Sequence, residues 1–77
     1  MNIEQEVIDI ISSTVKVPPE SITIDTTMED VQEWDSMRNV MILSTLESHF
    51  DLMFPEDDIF DLISVKAIVD EVKKLKA

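Results

Sequence analysis

Apolar positions along the chain cluster into stretches with helical spacing, separated by polar or proline-marked breaks. Ile3, Val7, Ile8, Ile10, Ile11 and Val15 form one stripe and predict a first helix from Asn2 to Lys16. Asn2 with Gln5 three positions later fits a capping box, and Lys16 suits the negative end of the helix dipole. Pro18-Pro19 stops this helix, because proline removes a backbone donor and restricts the residue before it. From Val17 to Asp35 no period holds, and a connection of that length is functional or locally ordered. Ile22, Ile24, Met28 and Val31 look like its anchors to the core, with a short turn at residues 26–30 capped by Asp25 or Thr26. Trp34 is expected as a further anchor, half-buried with its N–H toward solvent.

The second helix runs from Ser36 to Phe50, with Asp35 as N-cap and Val40, Leu43, Leu46 and Phe50 as its core stripe. Pro55 and Glu56-Asp57-Asp58 open a short third helix of about two turns through Ile59, Phe60 and Leu62. Ser64 caps a fourth, in which Val65, Ile68, Val69, Val72 and Leu75 face inward and Lys73, Lys74 and Lys76 favour the C-terminal end. The pattern predicts an all-α fold: a small four-helix bundle with a long loop between helices one and two and a short third helix.

Composition sharpens this. The 77 residues make one domain, 1–77, near the lower limit for a single core. The lack of glycine agrees with helix connections that need no residue at positive φ. The lack of cysteine removes disulfides and thiolate metal sites, so stability rests on packed apolar side chains. No apolar run approaches a membrane span, and the acidic stretch Met1 to Glu6 is unlike a targeting peptide. A cytoplasmic monomer without membrane insertion is expected. The net charge of −11 disfavours nucleic acid and anionic surfaces and favours basic partners. Between Val17 and Asp61 one basic residue, Arg38, stands against twelve acids, although such acids also serve simply to keep a small domain in solution.

Candidate chemistry centres on Asp35-Ser36-Met37. A serine in the first turn of a helix sits where backbone N–H groups lack partners and the dipole is positive, so an anion attached to it is stabilised. Ser36 therefore reads as a covalent attachment point. A catalytic serine is excluded, since the only histidine, His49, lies about 20 Å further along the same helix, near its C-terminus and facing solvent. Glu56-Asp57-Asp58 lacks the spacing of a calcium loop. Met37 and Met41, one turn apart beside Ser36, fit a docking surface and extra core packing equally well.

Asp35-Ser36-Met37 resembles the Asp-Ser-Leu attachment motif of the acyl carrier protein family, which includes peptidyl and aminoacyl carriers. Leu46-Glu47-Ser48-His49-Phe50 is similar to that family's Leu-Glu-x-x-Phe ending of helix two, and Phe54-Pro55-Glu56-Asp57 and Ser64-Val65 fit the starts of helices three and four. The resemblance spans nearly the whole chain and implies a non-enzymatic carrier. It implies that Ser36, flanked by Asp35, bears 4'-phosphopantetheine, added from coenzyme A by a magnesium-dependent phosphopantetheinyl transferase. Acyl groups would ride as thioesters between loading ligases and acyl-transferring enzymes, with Trp34, Met37, Arg38, Met41 and Glu47 as partner-facing residues. Glu33-Trp34 before Asp35, and Arg38 and Met41 at positions where fatty-acid carriers hold acids, point to a specialised pathway such as natural-product or surface-polysaccharide assembly. Two alternatives stand: an aminoacyl or peptidyl carrier loaded by an adenylating ligase, and an unmodified acidic helical adaptor.

Overall fold

The structure, a computed structural model, describes residues 2–77. Four helices follow in order: α1 (Ile3–Val15), α2 (Ser36–Phe50), α3 (Glu56–Ile59) and α4 (Val65–Lys76). The expected all-α architecture is present, and no helix among the described residues is long and apolar enough to cross a membrane. α1 packs against both α2 and α4. Their apolar stripes meet in one core cluster that includes Val7, Ile11 and Val15 of α1, Ile42, Leu46 and Phe50 of α2, and Ile68, Val69 and Val72 of α4. Each fully buried Val, Leu or Ile of this set contributes roughly 1.5–3 kcal/mol against water exposure.

The caps follow the sequence with some changes. Asn2 Oδ1 accepts from the Gln5 backbone N–H at 3.1 Å, but the Gln5 side chain donates to Asp9 at 2.9 Å and not back to Asn2, so only half of the capping box forms. Ser64 Oγ accepts from the Ala67 N–H at 3.1 Å, as expected of the α4 cap. α3 is a single turn, shorter than expected, because the chain leaves the helix at Phe60 to bury Leu62. Both Lys16 and Asp51 adopt the left-handed region, at φ 59° and 54°, to end α1 and α2. The inference that connections need no positive φ is thereby corrected: without glycine, these two residues take the conformation themselves.

The long first loop is ordered by its own chemistry. Ile22 is buried, and Ile24, Met28 and Val31 pack against the core. Two 3₁₀ turns lie within it, Pro19–Ser21 and Met28–Asp30. The second is capped by Thr27, whose N–H donates to Asp30 Oδ2 at 2.9 Å, and not by Asp25 or Thr26. Thr26 is instead buried, its Oγ1 accepting from the Thr23 N–H. An isolated antiparallel bridge then ties the loop to the start of α4, with Met28 N–H donating to Ile63 O at 2.8 Å and Val65 N–H to Thr26 O at 3.0 Å. That bridge fixes the approach to Ser36.

Candidate functional site

The site forms where the loop enters α2. Asp35, in extended backbone, caps the helix: its Oδ1 accepts from the Arg38 N–H at 2.8 Å and its carbonyl from the Asn39 N–H at 2.8 Å. Its second carboxylate oxygen meets the Arg38 guanidinium at 3.1 Å. Both side chains are about half exposed, so this pair adds little stability but partly offsets the carboxylate nearest the serine. Ser36 follows as the first helical residue and is exposed. The N–H groups of Ser36 and Met37 have no acceptor among the described residues. A phosphate on Ser36 Oγ would thus meet two free backbone donors, the positive end of α2 and a nearby guanidinium, and this donor set suits a phosphodiester.

Trp34 departs from the expected half-buried anchor. Its ring is 2% exposed, and Nε1–H donates not to solvent but to Asn39 Oδ1 at 2.9 Å. A buried ring offers nothing to a partner's surface, so Trp34 is removed from the partner-facing set. The second surprise is the phase of α2. Val40, placed in the core stripe by the sequence, is 65% exposed, while Asn39 and Ile42 are buried. The reason is physical: the interior position belongs to Asn39 because the Trp34 indole needs an acceptor there. Val40, one turn after Ser36, is left on the outside.

Met37 and Met41 are exposed beside Ser36, which resolves their two readings in favour of surface. Glu47 is half-buried and accepts from the Phe54 N–H at 2.8 Å, so one of its oxygens serves the α2–α3 connection. His49, exposed as expected, pairs with Glu6 of α1 at 2.9 Å at the far end of α2 from Ser36. Unforeseen is a groove of about 200 Å³ lined by Ser36, Asn39, Val40, Met28, Ile59, Phe60 and Ile63. A second hollow of about 140 Å³ shares Val40 and Ile59 and runs to Leu43, Ser44, Glu47 and Phe54 between α2 and α3. A wider one, about 350 Å³ among Asn2, Ile3, Glu4 and Lys73, lies at the opposite end of the bundle, where α1 begins. No period in the sequence marks Phe60 or Ile63 as part of the site. Asn39 could have been found as the one polar residue on the inner face of α2.

Among the described residues no histidine or carboxylate hydrogen-bonds to the Ser36 hydroxyl, and the neighbouring Asp35 carboxylate is engaged by Arg38, so the hydroxyl is displayed without being activated. Comparison with known proteins agrees. The family pattern described as the phosphopantetheine attachment site matches residues 5–72. The chain is similar to the acyl carrier protein of Campylobacter hominis, at 28% identity over 97% of this chain and 95% of that one. It is also similar to the acyl carrier protein of Syntrophobacter fumaroxidans, at 33% identity over 94% of this chain and 89% of that one. The chain belongs to the acyl carrier protein family: it is a carrier and not a catalyst, and its cofactor is a covalently attached 4'-phosphopantetheine.

Proposed function

We propose that Ser36 is the attachment residue and that the protein is a discrete, monomeric, cytoplasmic carrier of acyl intermediates in a specialised biosynthetic pathway. The observation that supports this most is Ser36 itself: an exposed hydroxyl at the first residue of α2 beside two unpartnered N–H groups. In the loading reaction the Ser36 oxygen bonds to the phosphorus next to pantetheine in coenzyme A. The pyrophosphate P–O bond breaks, adenosine 3',5'-bisphosphate leaves, and the hydroxyl proton passes to a base of the transferase. The arm supplies what this cysteine-free chain lacks, a thiol on which cargo is held as a thioester. Asp35 holds the turn, and Arg38 and the free N–H groups would hold the phosphate of the arm.

The face around Ser36 supports the specialised reading. Met37, Val40, Met41 and Phe60 are exposed apolar side chains, and Arg38 is the one cation among them. Partners that bind this face need an apolar socket, whereas enzymes built for an acidic helix meet the wrong charge. Incubation with coenzyme A, magnesium and a broad-specificity phosphopantetheinyl transferase tests attachment by intact mass. Wild type gains one phosphopantetheine unit and Ser36→Ala none; a wild type left at its apo mass, or a modified Ser36→Ala, sinks the assignment. The pathway is tested separately with an acyltransferase of bulk fatty-acid synthesis. Arg38→Asp/Met41→Glu should tighten its binding about tenfold, on the order of 1.4 kcal/mol. Unchanged binding would count against a face altered for other partners, and efficient loading by an amino-acid-activating ligase would redirect the cargo assignment while leaving Ser36 in place.

A further inference from the structure

We propose that Asn39 is a positioning residue for modification of Ser36, holding the serine turn and the opposite wall of its groove in one geometry through a buried three-part bridge. The inference rests on Ser36 being the attachment residue. Asn39 is 7% exposed yet carries an amide with one acceptor and two donors. Its Oδ1 accepts from Trp34 Nε1–H at 2.9 Å, and its Nδ2–H donates to the Leu62 carbonyl at 3.2 Å. Its own backbone N–H donates to Asp35 O at 2.8 Å. One residue therefore ties the two positions before Ser36 to α2 and to the segment between α3 and α4.

That segment is no bystander. Leu62 lies between Phe60 and Ile63, which line the groove with Ser36, and Ile63 O accepts from Met28 N–H on the loop side. The bridge thus closes a ring of contacts around the groove: loop to the α3–α4 segment through Met28 and Ile63, loop to α2 through Trp34, and α2 back to that segment through Leu62. Apolar packing alone is non-directional and leaves each of these free to slide. Hydrogen bonds to a buried amide fix both distance and angle. Leucine or isoleucine at this inner position of α2 would bury more apolar area, so the asparagine is set there by the directional bonds its amide makes to Trp34 and Leu62. The exposed Met37 and Met41, proposed above as part of the partner-facing surface, take no part in this bridge. Its loss therefore acts on orientation of the Ser36 hydroxyl more than on docking.

The experiment is steady-state phosphopantetheinylation of the full chain by a broad-specificity transferase with coenzyme A and magnesium, comparing wild type, Asn39→Leu and Asn39→Asp. Val7→Ala, a core truncation in α1 away from the groove, serves as a control for general destabilisation. For Asn39→Leu we expect kcat to fall about tenfold with KM nearly unchanged, since misplacing a reacting group costs rate without removing docking contacts. Val7→Ala should keep the wild-type kcat at a temperature where both are folded. Asn39→Asp retains the acceptor for Trp34 but sets a carboxylate oxygen against Leu62 O. Its protonated form regains a donor, so its rate relative to wild type should rise between about pH 8 and about pH 5.5.

A second readout needs no variant that folds well. Trp34 is the only tryptophan, so the indole N–H gives one proton resonance, expected to exchange slowly with solvent. Wild-type kcat in Asn39→Leu, an equal loss in Val7→Ala, a flat pH ratio in Asn39→Asp, or an indole proton that exchanges as fast as free tryptophan would each overturn the inference. If wild type itself is not modified, the Ser36 assignment fails; if wild type is modified and Asn39→Leu matches it, only the role of Asn39 fails.

Discussion

Lys16 sits at φ 59°, ψ 43°, with its N–H donating to Ser12 O at 2.8 Å. For a residue with a Cβ, the left-handed region costs roughly 1–2 kcal/mol, and glycine escapes that cost while losing more freedom on folding. The Lys16 side chain is exposed and takes part in none of the described ion pairs. Lys16→Gly should therefore stabilise the fold by about 0.5–1 kcal/mol, a rise of roughly 2–8 °C in Tm by calorimetry. Asp51→Gly should gain less, because aspartate tolerates this region better than lysine. A Lys16→Gly variant no more stable than wild type would show that the terminus of α1 carries no strain. At this scale the sequence was legible where a side chain had one role: Asp35 and Ser64 as caps, Ile22 as an anchor, Ser36 as an exposed first-turn hydroxyl. It was opaque where two residues had to be solved together. Trp34 buries only if something accepts its N–H, and Asn39 buries only if something uses its amide; neither partner is visible in a one-residue period.

Helices α1, α2 and α4 were readable as elements because each carries an apolar stripe several turns long, although in α2 that stripe put Val40 inside where Asn39 is buried instead. α3 was not, since a four-residue helix is fixed by what surrounds it. One such neighbour is Glu71 of α4. One of its oxygens is shielded from solvent without a hydrogen-bond partner, and Asp58 of α3 stands close by. Burial first, then the neighbouring Asp58 carboxyl, hold the Glu71 carboxyl above its ordinary value of 4.5, with Lys74 pulling the other way. The folded state thus binds this proton more tightly than the unfolded chain does. Its contribution to stability is complete below about pH 4.5 and is lost as pH rises through the elevated folded value. Glu71→Gln removes the charge that becomes unfavourable. Its Tm should exceed wild type at pH 7, and the gap should shrink on acidification toward pH 4.5. A constant gap across that range, or a lower Tm at pH 7, would rule out a strained α3–α4 carboxyl pair. The other ends of the helices are held differently: Lys76 Nζ donates to Phe50 O at 3.0 Å, closing α4 onto the end of α2.

Charge acts on the molecule as a whole. A net charge of −11 is held on a chain with a Cα radius of gyration of 11.1 Å, comparable to the Debye length of about 8–10 Å in ordinary buffer. Neighbouring carboxylates therefore repel in ordinary buffer, while at low salt the repulsion reaches across the whole 29 × 26 × 20 Å molecule, and the three described ion pairs are too exposed to offset it. Unfolding spreads the same charges apart, so self-repulsion favours the open chain and salt should favour the compact one. Raising NaCl from about 10 mM to about 150 mM should therefore raise Tm, because the Debye length falls from about 30 Å to about 8 Å over that range. Salting-out effects on apolar surface would also raise Tm, and the two causes separate through charge. Glu20, Glu33 and Asp61 are exposed and their carboxylates make no described hydrogen bond or ion pair, so Glu20→Gln/Glu33→Gln/Asp61→Asn lowers the charge from −11 to −8 without removing a contact. The triple variant should be more stable than wild type at low salt, and its Tm should climb less steeply with NaCl. Equal salt slopes in the two proteins would mean that the acids repel too weakly to matter for folding, and their place in the chain would then be explained by solubility or by recognition of basic partners.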